Sequence, residues 1–561
     1  MALLSPLKRE DWDESKARHL LSRAGFGVPH KLARDLADMG PEAAVKHLVE
    51  YDSLHQRLTE PERVPFQTRK MMMEENPEAT EEEIRKLYSD YQRSEREAIE
   101  GMKRWWLQRM HKTDRPLEEK MTLFWHGHFA ISSQKVRWSE PTYEYNALLR
   151  EYATGNFKML ATKVGQLPAM LEYLDNRQST KTHPNENWAR ELMELFTLGQ
   201  GEYTEDDIKA SARAFTGWGT GSDHRFDYKL RNHDYSDKTF MGRTDPHDGW
   251  DILDIIFEQP AASTFIAAKL WSFFAYENPD PAIVEGLAKT LRDNDFELRP
   301  MLTQLFSSSA FYSAEAMGTQ IKSPAQFAVQ LVEDLQYENP PYAQLARTLR
   351  ELGQDLFYPP NVKGWDGNKA WINANTLLVR YNTPPAIANA ATTQEQRRMA
   401  MAAEGGEDTM MAEGSAPKDY SAVKPGEYVR EERKKMMAEV REALKDMPKK
   451  KQQELRKAIQ GGDMIQRRAA LKELGVQSPE WEKHSPVLLF DTFSFTTPLE
   501  CLDALESYFL RVPMKAEQKT ALLAAMDITD PAMAITPADV PYDVRIATLH
   551  LMTSMAEYQL C

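Results

Sequence analysis

Apolar residues recur at helical spacing along most of this chain, and proline and glycine interrupt the pattern at short intervals. The periodic run 12–24 stops at Gly25-Phe26-Gly27, and the run 29–39 stops at Gly40-Pro41. Glycine closes helices because it adopts the left-handed conformation without a steric penalty, whereas proline cannot continue a helix. The spacing therefore predicts a mainly α fold, a multi-helical globular domain with short connections.

The sequence also predicts where several helices begin in the first 335 residues. A helix is predicted from Thr80 onward, and Asp114 and Pro116 open another. Thr204 followed by Asp207 has the spacing of a capping box, in which each side chain bonds the other residue's backbone. The modest β signal lies in 217–250, where aromatic residues alternate with polar ones and predict a short hairpin.

Composition changes in the last third of the chain. Residues 390–426 are rich in Met, Ala, Gly and Glu and are predicted to be a disordered linker. The highly charged residues that follow predict a helical insert, broken near Gly461-Gly462. The predicted organisation has four parts: a helical main domain (1–389), the linker (390–426), the insert (427–475) and a C-terminal segment that packs back on the main domain (476–561).

Net charge, cysteine content and the length of apolar runs argue against several classes of protein. The formal net charge of −15 argues against a general nucleic-acid or anionic-membrane binder. Two cysteines, Cys501 and Cys561, supply neither a disulfide framework nor a cysteine metal site. No run approaches the ~20 apolar residues of a membrane span, and the start is charged too soon for a secretory signal. We therefore expect a cytoplasmic protein with no membrane span and no nucleic-acid partner.

The run 183–199 carries the strongest indication of a site. At ~100° per residue, one face of the predicted helix is apolar and the other carries two carboxylates, a guanidinium and an amide. Carboxylates three residues apart can hold a metal or share proton transfer, and an arginine between them can set their charge state. The predicted catalytic group is Asn187, Arg190, Glu191 and Glu194.

Two histidines extend this hypothesis to a metal site. His126 and His128 lie in an aromatic cluster, but residues two apart on a helix point about 200° apart and cannot face one ion there. They converge only if the chain is extended at Gly127 or the helix frays there. The alternative is that one of them is a buried, hydrogen-bonded residue, and the alternative for the carboxylates and Arg190 is a structural ion-pair network. The predicted ligands of a divalent metal, Zn or Mn, are His126, His128, Glu191, Glu194, His233 and Asp234.

Four further residues are candidates for substrate binding. An arginine can hold an anionic group with two hydrogen bonds, and exposed tryptophan rings can stack on sugars. The arginine and the tryptophans have an alternative as packing residues of the helical core, and the asparagine contributes polar contacts only if its loop borders a pocket. The candidates are Arg23, Trp218, Asn361 and Trp365, the last two in a loop restricted by two prolines.

Several segments together, in order along the chain, resemble a bacterial family known as domain of unknown function 1800. The resemblance covers roughly residues 12–385 and the tail. It implies a mainly helical fold and no established activity, and members often look exported and often sit beside genes for a sulfatase-like sister family. The matching segments are 19–27, 124–129, 185–199, 214–218, 233–234, 238–240, 269–271, 322–324, 359–365 and 557–560.

Two functional hypotheses follow. The first is a hydrolase in which a metal lowers the pKa of a bound water to ~7 and an unknown small molecule or glycan is cleaved. The second is a non-catalytic partner or assembly protein that works with a sulfatase-like protein through the charged insert. A buried pocket with perturbed carboxylates favours the first, and complete internal pairing of the signature residues favours the second.

Overall fold

A computed structural model describes residues 2–54, 58–403, 426–445, 447–461, 464–477 and 486–561. Within these residues the fold is mainly α, as the spacing of apolar residues predicts. The chain divides into two compact units. The first contains Met1–Phe26, His30–Gln320 and Gly353–Ala370, and the second contains Gly27–Pro29, Ile321–Leu352 and Trp371–Cys561.

The helices of the first unit begin where the sequence provides capping groups. The side chains of Thr80, Thr204 and Asp248 each complete a capping box. The helices are α1 (Glu14–Ala24), α2 (His30–Met39), α3 (Pro41–Val49), α4 (Arg69–Glu75), α5 (Glu81–Lys112), α6 (Pro116–His128), α7 (Ser133–Val136), α8 (Ser139–Glu151), α9 (Phe157–Gln166), α10 (Pro168–Tyr173), α11 (Glu186–Glu191), α12 (Glu205–Ala214), α13 (Gly249–Glu258), α14 (Pro260–Phe274), α15 (Pro281–Asp293) and α16 (Leu298–Ser307).

The β structure predicted in 217–250 consists of two small antiparallel hairpins rather than one. Strand β1 (Trp218–Thr220) pairs with β2 (Phe226–Tyr228), and β3 (Lys238–Phe240) pairs with β4 (Arg243–Asp245). Trp218 packs edge-on against Phe215 and Phe226, which ties the first hairpin to the helical core. The largest side chains with almost no exposure include six tryptophans of this unit: Trp105, Trp106, Trp125, Trp188, Trp218 and Trp271.

The second unit is also helical. Its core is tied to the end of the chain, since Tyr558 donates a 3.0 Å hydrogen bond to the buried Asp334 and Arg380 donates one of 2.9 Å to Gln559. The helices are α17 (Pro324–Asp334), α18 (Tyr342–Glu351), α19 (Ala374–Ala403), α20 (Gly426–Leu444), α21 (Lys449–Gly461), α22 (Met464–Glu473), α23 (Pro498–Phe509), α24 (Ala516–Ala525) and α25 (Tyr542–Ser554).

The charged insert consists of α20, α21 and α22, and a helix boundary lies at the predicted break near Gly461. These helices share a small hydrophobic core formed by Val440, Leu444, Leu455, Ile459, Ala470, Leu471 and Val476. Of the predicted linker, residues 390–403 are the last turns of α19, because its alanine-rich stretch is also a good helix former. Residues 404–425 lie outside the described part, and the four-part division stays a prediction.

Short 3₁₀ turns complete the architecture. They are Ala2–Leu4, Arg9–Asp11, Tyr51–Ser53, Asn176–Gln178, Leu230–Asn232, Ser309–Tyr312, Asn368–Trp371, Pro486–Thr492, Pro537–Asp539 and Glu557–Gln559. In the part of the chain that the structure describes, every helix is too short or too polar to cross a membrane.

Candidate functional site

The signature run does not form one continuous α-helix. Helix α11 passes after Glu191 into a π-helical segment, Leu192–Thr197, in which the Leu198 N–H bonds the Met193 carbonyl at 2.9 Å. Such segments contain an extra residue per turn and are frequent at functional sites. The predicted polar stripe is therefore interrupted between Glu191 and Glu194, and the segment ends with carbonyl groups that need donors from elsewhere.

A cavity of about 600 Å³ lies beside this π-helical segment, within the first unit. One wall is α14, where small side chains leave room, and another is the end of the π-helical segment. Two lysines and two glutamates contribute charge to the lining. The lining residues are His128, Glu194, Leu195, Leu198, Gly199, Gln200, Glu202, Ala261, Thr264, Phe265, Ala268, Lys269 and Lys363.

Lys269 and His128 form a hydrogen-bonded pair at this cavity. The Nε2 of His128 lies 2.9 Å from the Phe196 carbonyl, so Nε2 carries the proton and donates. Nδ1 is therefore the acceptor, and the Lys269 amine lies 3.1 Å from it. The same amine lies 3.4 Å from the Leu195 carbonyl. The carbonyl end of the π-helical segment thus holds both side chains.

Burial changes the charge preference of this pair. Removal from water lowers the pKa of Lys269 from 10.5 to about 8. Burial, together with the neighbouring Lys269, keeps the pKa of His128 well below its ordinary value, so the imidazole is neutral. The Phe265 ring centroid lies 4.9 Å from the amine, and the face of the ring attracts the ammonium form. With this pKa, about a tenth of Lys269 is an unprotonated amine at pH 7.

His126 belongs to a different network. It accepts a 3.1 Å hydrogen bond from the Phe357 N–H at Nε2, and its Nδ1 donates to the Tyr145 hydroxyl at 3.1 Å. Tyr145 in turn donates to the Phe129 carbonyl. Burial lowers the pKa of His126 to about 3. Both ring nitrogens of both histidines are thus engaged by protein groups, whereas the alternative interpretation from the sequence concerned one of them.

The predicted metal centre is not assembled. Among the described residues, no group of three or more His, Cys, Asp or Glu side chains could hold a metal ion. His233 donates to the Thr216 carbonyl at 2.9 Å, and Asp234 accepts from Arg213 at 2.7 Å. The Arg213 guanidinium and the Ser236 N–H hold the pKa of Asp234 well below its ordinary value against the effect of burial. This pair stabilises the loop before β3 rather than a shared site.

The polar residues of the signature run separate in the same way. Arg190 makes a two-pronged ion pair with Glu205 of α12, at 2.8 and 2.9 Å, rather than lying between the two glutamates. Glu194 accepts from Gln200 at 2.7 Å in the cavity wall. Burial raises the pKa of Glu191, as does Glu194. Asn187 is exposed, and its N–H caps onto Asn185.

The residues predicted to bind substrate lie apart from the lining of the cavity. Arg23 is buried and donates to the carbonyls of Ala316 and Ala275 at 2.6 and 3.1 Å. Trp218 is fully buried in the core. Asn361 is exposed, and its side chain accepts the Lys363 N–H at 2.9 Å within the loop. None of the four lines the cavity, although Trp365 lies next to the part of the loop that does.

The loop 357–367 approaches helix α6 closely. Gly364 has a φ of +82°, and a Cβ added there would lie 2.0 Å from the Gly127 carbonyl oxygen. Only glycine allows this backbone contact. Trp365 covers the junction with its ring edge-on to His126, the centroids 5.3 Å apart. The contact fixes the position of Lys363 at the cavity.

The sequence model of one family, described as protein of unknown function (DUF1800), matches residues 19–560. The chain belongs to this family. No curated protein and no solved structure matches it. In this DUF1800 member, four of the segments that carry the resemblance contribute to the cavity wall: the segments around His128, Glu194, Lys269 and Lys363.

Sequence reasoning missed Lys269 as a functional candidate. Its signal lies in α14, a 15-residue helix in which Lys269 is the one charged residue amid Ala, Phe, Ile, Leu and Trp. A lone lysine in such a helix is either at its edge or buried at a cost. Its partner, His128, lies 141 residues earlier, so only the folded chain reveals the pair.

Proposed function

We propose that this protein is an enzyme whose reacting group is the Lys269 amine and whose substrate is a small carbonyl compound bound in the cavity. The observation that carries the proposal is the 3.1 Å hydrogen bond between the buried amine and the neutral His128 at the cavity wall. A lysine kept partly unprotonated by burial is a nucleophile at neutral pH, whereas exposed lysines are protonated.

The geometry supports imine formation. A neutral amine has two N–H groups, and the Nδ1 of His128 and the Leu195 carbonyl accept them at 3.1 and 3.4 Å. The lone pair is then available to attack a carbonyl carbon. The nitrogen forms a bond to that carbon, loses its protons as the carbonyl oxygen gains them, and the oxygen leaves as water. The product is an imine between Lys269 and the substrate.

His128 acts here as a positioning residue. Its Nε2–H bond to Phe196 fixes the tautomer, and the tautomer presents an acceptor rather than a donor to the amine. A charged imidazolium in this place would repel an ammonium and offer no acceptor. The buried aromatic neighbours, Phe124 and Phe129 among them, keep the ring neutral.

The metal-assisted hydrolase predicted from the sequence needs ligands gathered around one ion, and the described side chains do not fit that arrangement. Metal-assisted hydrolysis therefore stays a prediction from the sequence, without support from the described side chains.

The test is reductive trapping with propionaldehyde and borohydride at pH 7, followed by peptide mass mapping. We expect Lys269 to be modified at least tenfold faster than the exposed Lys289, because a far larger fraction of its amine is unprotonated. Lys269→Met abolishes this fast modification, and His128→Phe slows it. Modification of Lys289 with none at Lys269 would contradict the proposal.

A second candidate function is the partner protein. It is favoured by the separate hydrophobic core of α20, α21 and α22, which gives the insert a defined shape of its own. If the insert binds a sulfatase-like protein, a variant lacking residues 427–475 loses that co-expressed protein in an affinity purification at low salt, and its Lys269 reactivity is unchanged. Equal retention by both forms would exclude this role for the insert.

A further inference from the structure

Lys363 is the second cation at the cavity, and its backbone is held firmly. The Asn361 side chain accepts the Lys363 N–H at 2.9 Å, and the Asn361 carbonyl accepts the Gly364 N–H at 3.1 Å. The close contact between Gly364 and Gly127 attaches this turn to the end of α6, the helix that also carries His128. The turn and the pair of Lys269 and His128 are therefore anchored to one element.

The side chain of Lys363 differs from most cations of the first unit. It is exposed, it lines the cavity, and in the described residues no carboxylate lies within ion-pair distance of its ammonium group. Arg190 and Arg213, by contrast, are paired with Glu205 and Asp234. Of the two glutamates in the lining, Glu194 is already engaged by the Gln200 and Tyr203 side chains. Glu191 interacts with Lys363 only through space, beyond ion-pair distance.

We propose that Lys363 is a specificity-determining residue that binds an anionic group of the substrate, a phosphate or a carboxylate, while the carbonyl carbon of the same molecule meets Lys269. The inference rests on the proposed function and names its substrate class: an anionic aldehyde or ketone small enough for about 600 Å³. A lysine ammonium on a positioned stem suits this task because it is a mobile point charge with three donors.

The orientation follows from the burial of the two lysines. Lys269 is partly buried, and its amine is held by hydrogen bonds to His128 and Leu195. Lys363 is exposed and is therefore the more accessible of the two cations to an incoming anion. An anionic group that enters therefore binds at Lys363 and leaves the uncharged end of the molecule to reach Lys269. Lys363 thus binds the substrate, and Lys269 reacts with it.

The experiment compares two aldehydes of nearly the same shape, pyridoxal phosphate and pyridoxal, in borohydride trapping of the full chain at pH 7. We expect Lys269 to be trapped by the phosphorylated probe about tenfold more efficiently, the size expected of one charge-assisted hydrogen bond. Glyoxylate and glycolaldehyde form the corresponding carboxylate pair. Faster trapping of pyridoxal phosphate than of pyridoxal identifies the anionic group as a phosphate. Faster trapping of glyoxylate than of glycolaldehyde identifies it as a carboxylate.

Variants of the loop separate charge from position. Lys363→Gln should reduce the preference to about onefold, and Lys363→Arg should restore part of it. Gly364→Ala keeps the charge but displaces the turn, so it should also abolish the preference. The matched control is Gly367→Ala in the same loop, where an added Cβ meets nothing within 4 Å, and it should behave as the wild type.

The two proposals fail in different ways. If Lys269 is trapped equally by charged and neutral probes, or if Lys363→Gln keeps the preference, the role of Lys363 is wrong and the reactive lysine stands. If no probe is trapped at Lys269, the proposed function is wrong. If the phosphorylated probe is trapped at Lys363 instead, both assignments are overturned, because the exposed amine is then the reactive one.

Discussion

Replacing Lys269 with methionine removes a buried amine but keeps a side chain of similar length. In the wild type, folding transfers this amine from water into the wall of the cavity, which lowers its pKa from 10.5 to about 8. Between these two values the unfolded chain holds a proton that the folded chain has released. Because the unfolded state binds more protons there, the free energy of unfolding rises with pH through this window. The variant lacks that contribution.

The size of the effect follows from the same values. A tenfold change in an equilibrium constant corresponds to about 1.4 kcal/mol, so the drop from 10.5 to about 8 corresponds to about 3.4 kcal/mol. This cost is fully present below pH 8 and vanishes above 10.5. Between pH 7 and pH 10 the wild type should therefore gain about 2.5 kcal/mol relative to Lys269→Met. The hydrogen bonds to His128 and Leu195 change the free energy difference between the two proteins by a similar amount at every pH. They therefore contribute little to the pH dependence of that difference.

The assay is guanidinium chloride unfolding of both proteins at several pH values, followed by tryptophan fluorescence. The six tryptophans with almost no exposure all lie in the first unit, so the signal reports the unit that contains Lys269. The control is Lys289→Met, which makes the same substitution at an exposed lysine of α15 and so reports the effect of removing a lysine that folding does not bury. A flat difference for Lys269→Met, or one of opposite slope, would refute the reasoning.

Two further predictions concern the core of the first unit. Glu119 is fully buried with two arginines, Arg150 among them, which lower its pKa to about 2 although burial alone would raise it. Its contribution to stability is therefore lost as pH falls from 4.5 toward 2. Glu119→Gln removes the carboxylate that both arginines bind, and Arg109 then keeps only the longer ion pair with Glu118, at 3.7 Å. The substitution should cost about 3 kcal/mol in denaturant unfolding, and a loss below 1 kcal/mol would contradict this. Gly249→Ala places a Cβ 2.6 Å from an aromatic ring and should cost about 1–3 kcal/mol, whereas Gly101→Ala in the open face of α5 should be neutral or slightly stabilising in the same assay.

Local structure was predictable where short-range chemistry decides it. The capping box at Thr204 and Asp207, the helix from Thr80 and the stops at Gly25 and Gly40 all depend on residues within a few positions of one another. Such interactions form before any tertiary contact, so the sequence contains their complete description. The family was identified correctly for the same reason, since its segments are local patterns.

The candidate site was predicted in part. The signature run does border the cavity, and His128 and Glu194 do line it. Their predicted roles stay predictions, and the π-helical segment interrupts the α spacing on which these roles were based after Glu191. A single extra residue in a turn has no signature in composition, so the face on which Glu194 lies could not be predicted.

Periodicity, caps and composition by themselves determined that this chain is mainly helical and where most helices of the first unit begin and end. Tertiary structure alone decided which polar groups meet. His128 and Lys269 are 141 residues apart, and Arg190 forms its ion pair with Glu205 of α12 rather than with a carboxylate of its own helix. The physical reason is desolvation. The charge state of a side chain depends on how far neighbouring groups exclude water from it, and only tertiary packing brings those neighbours together.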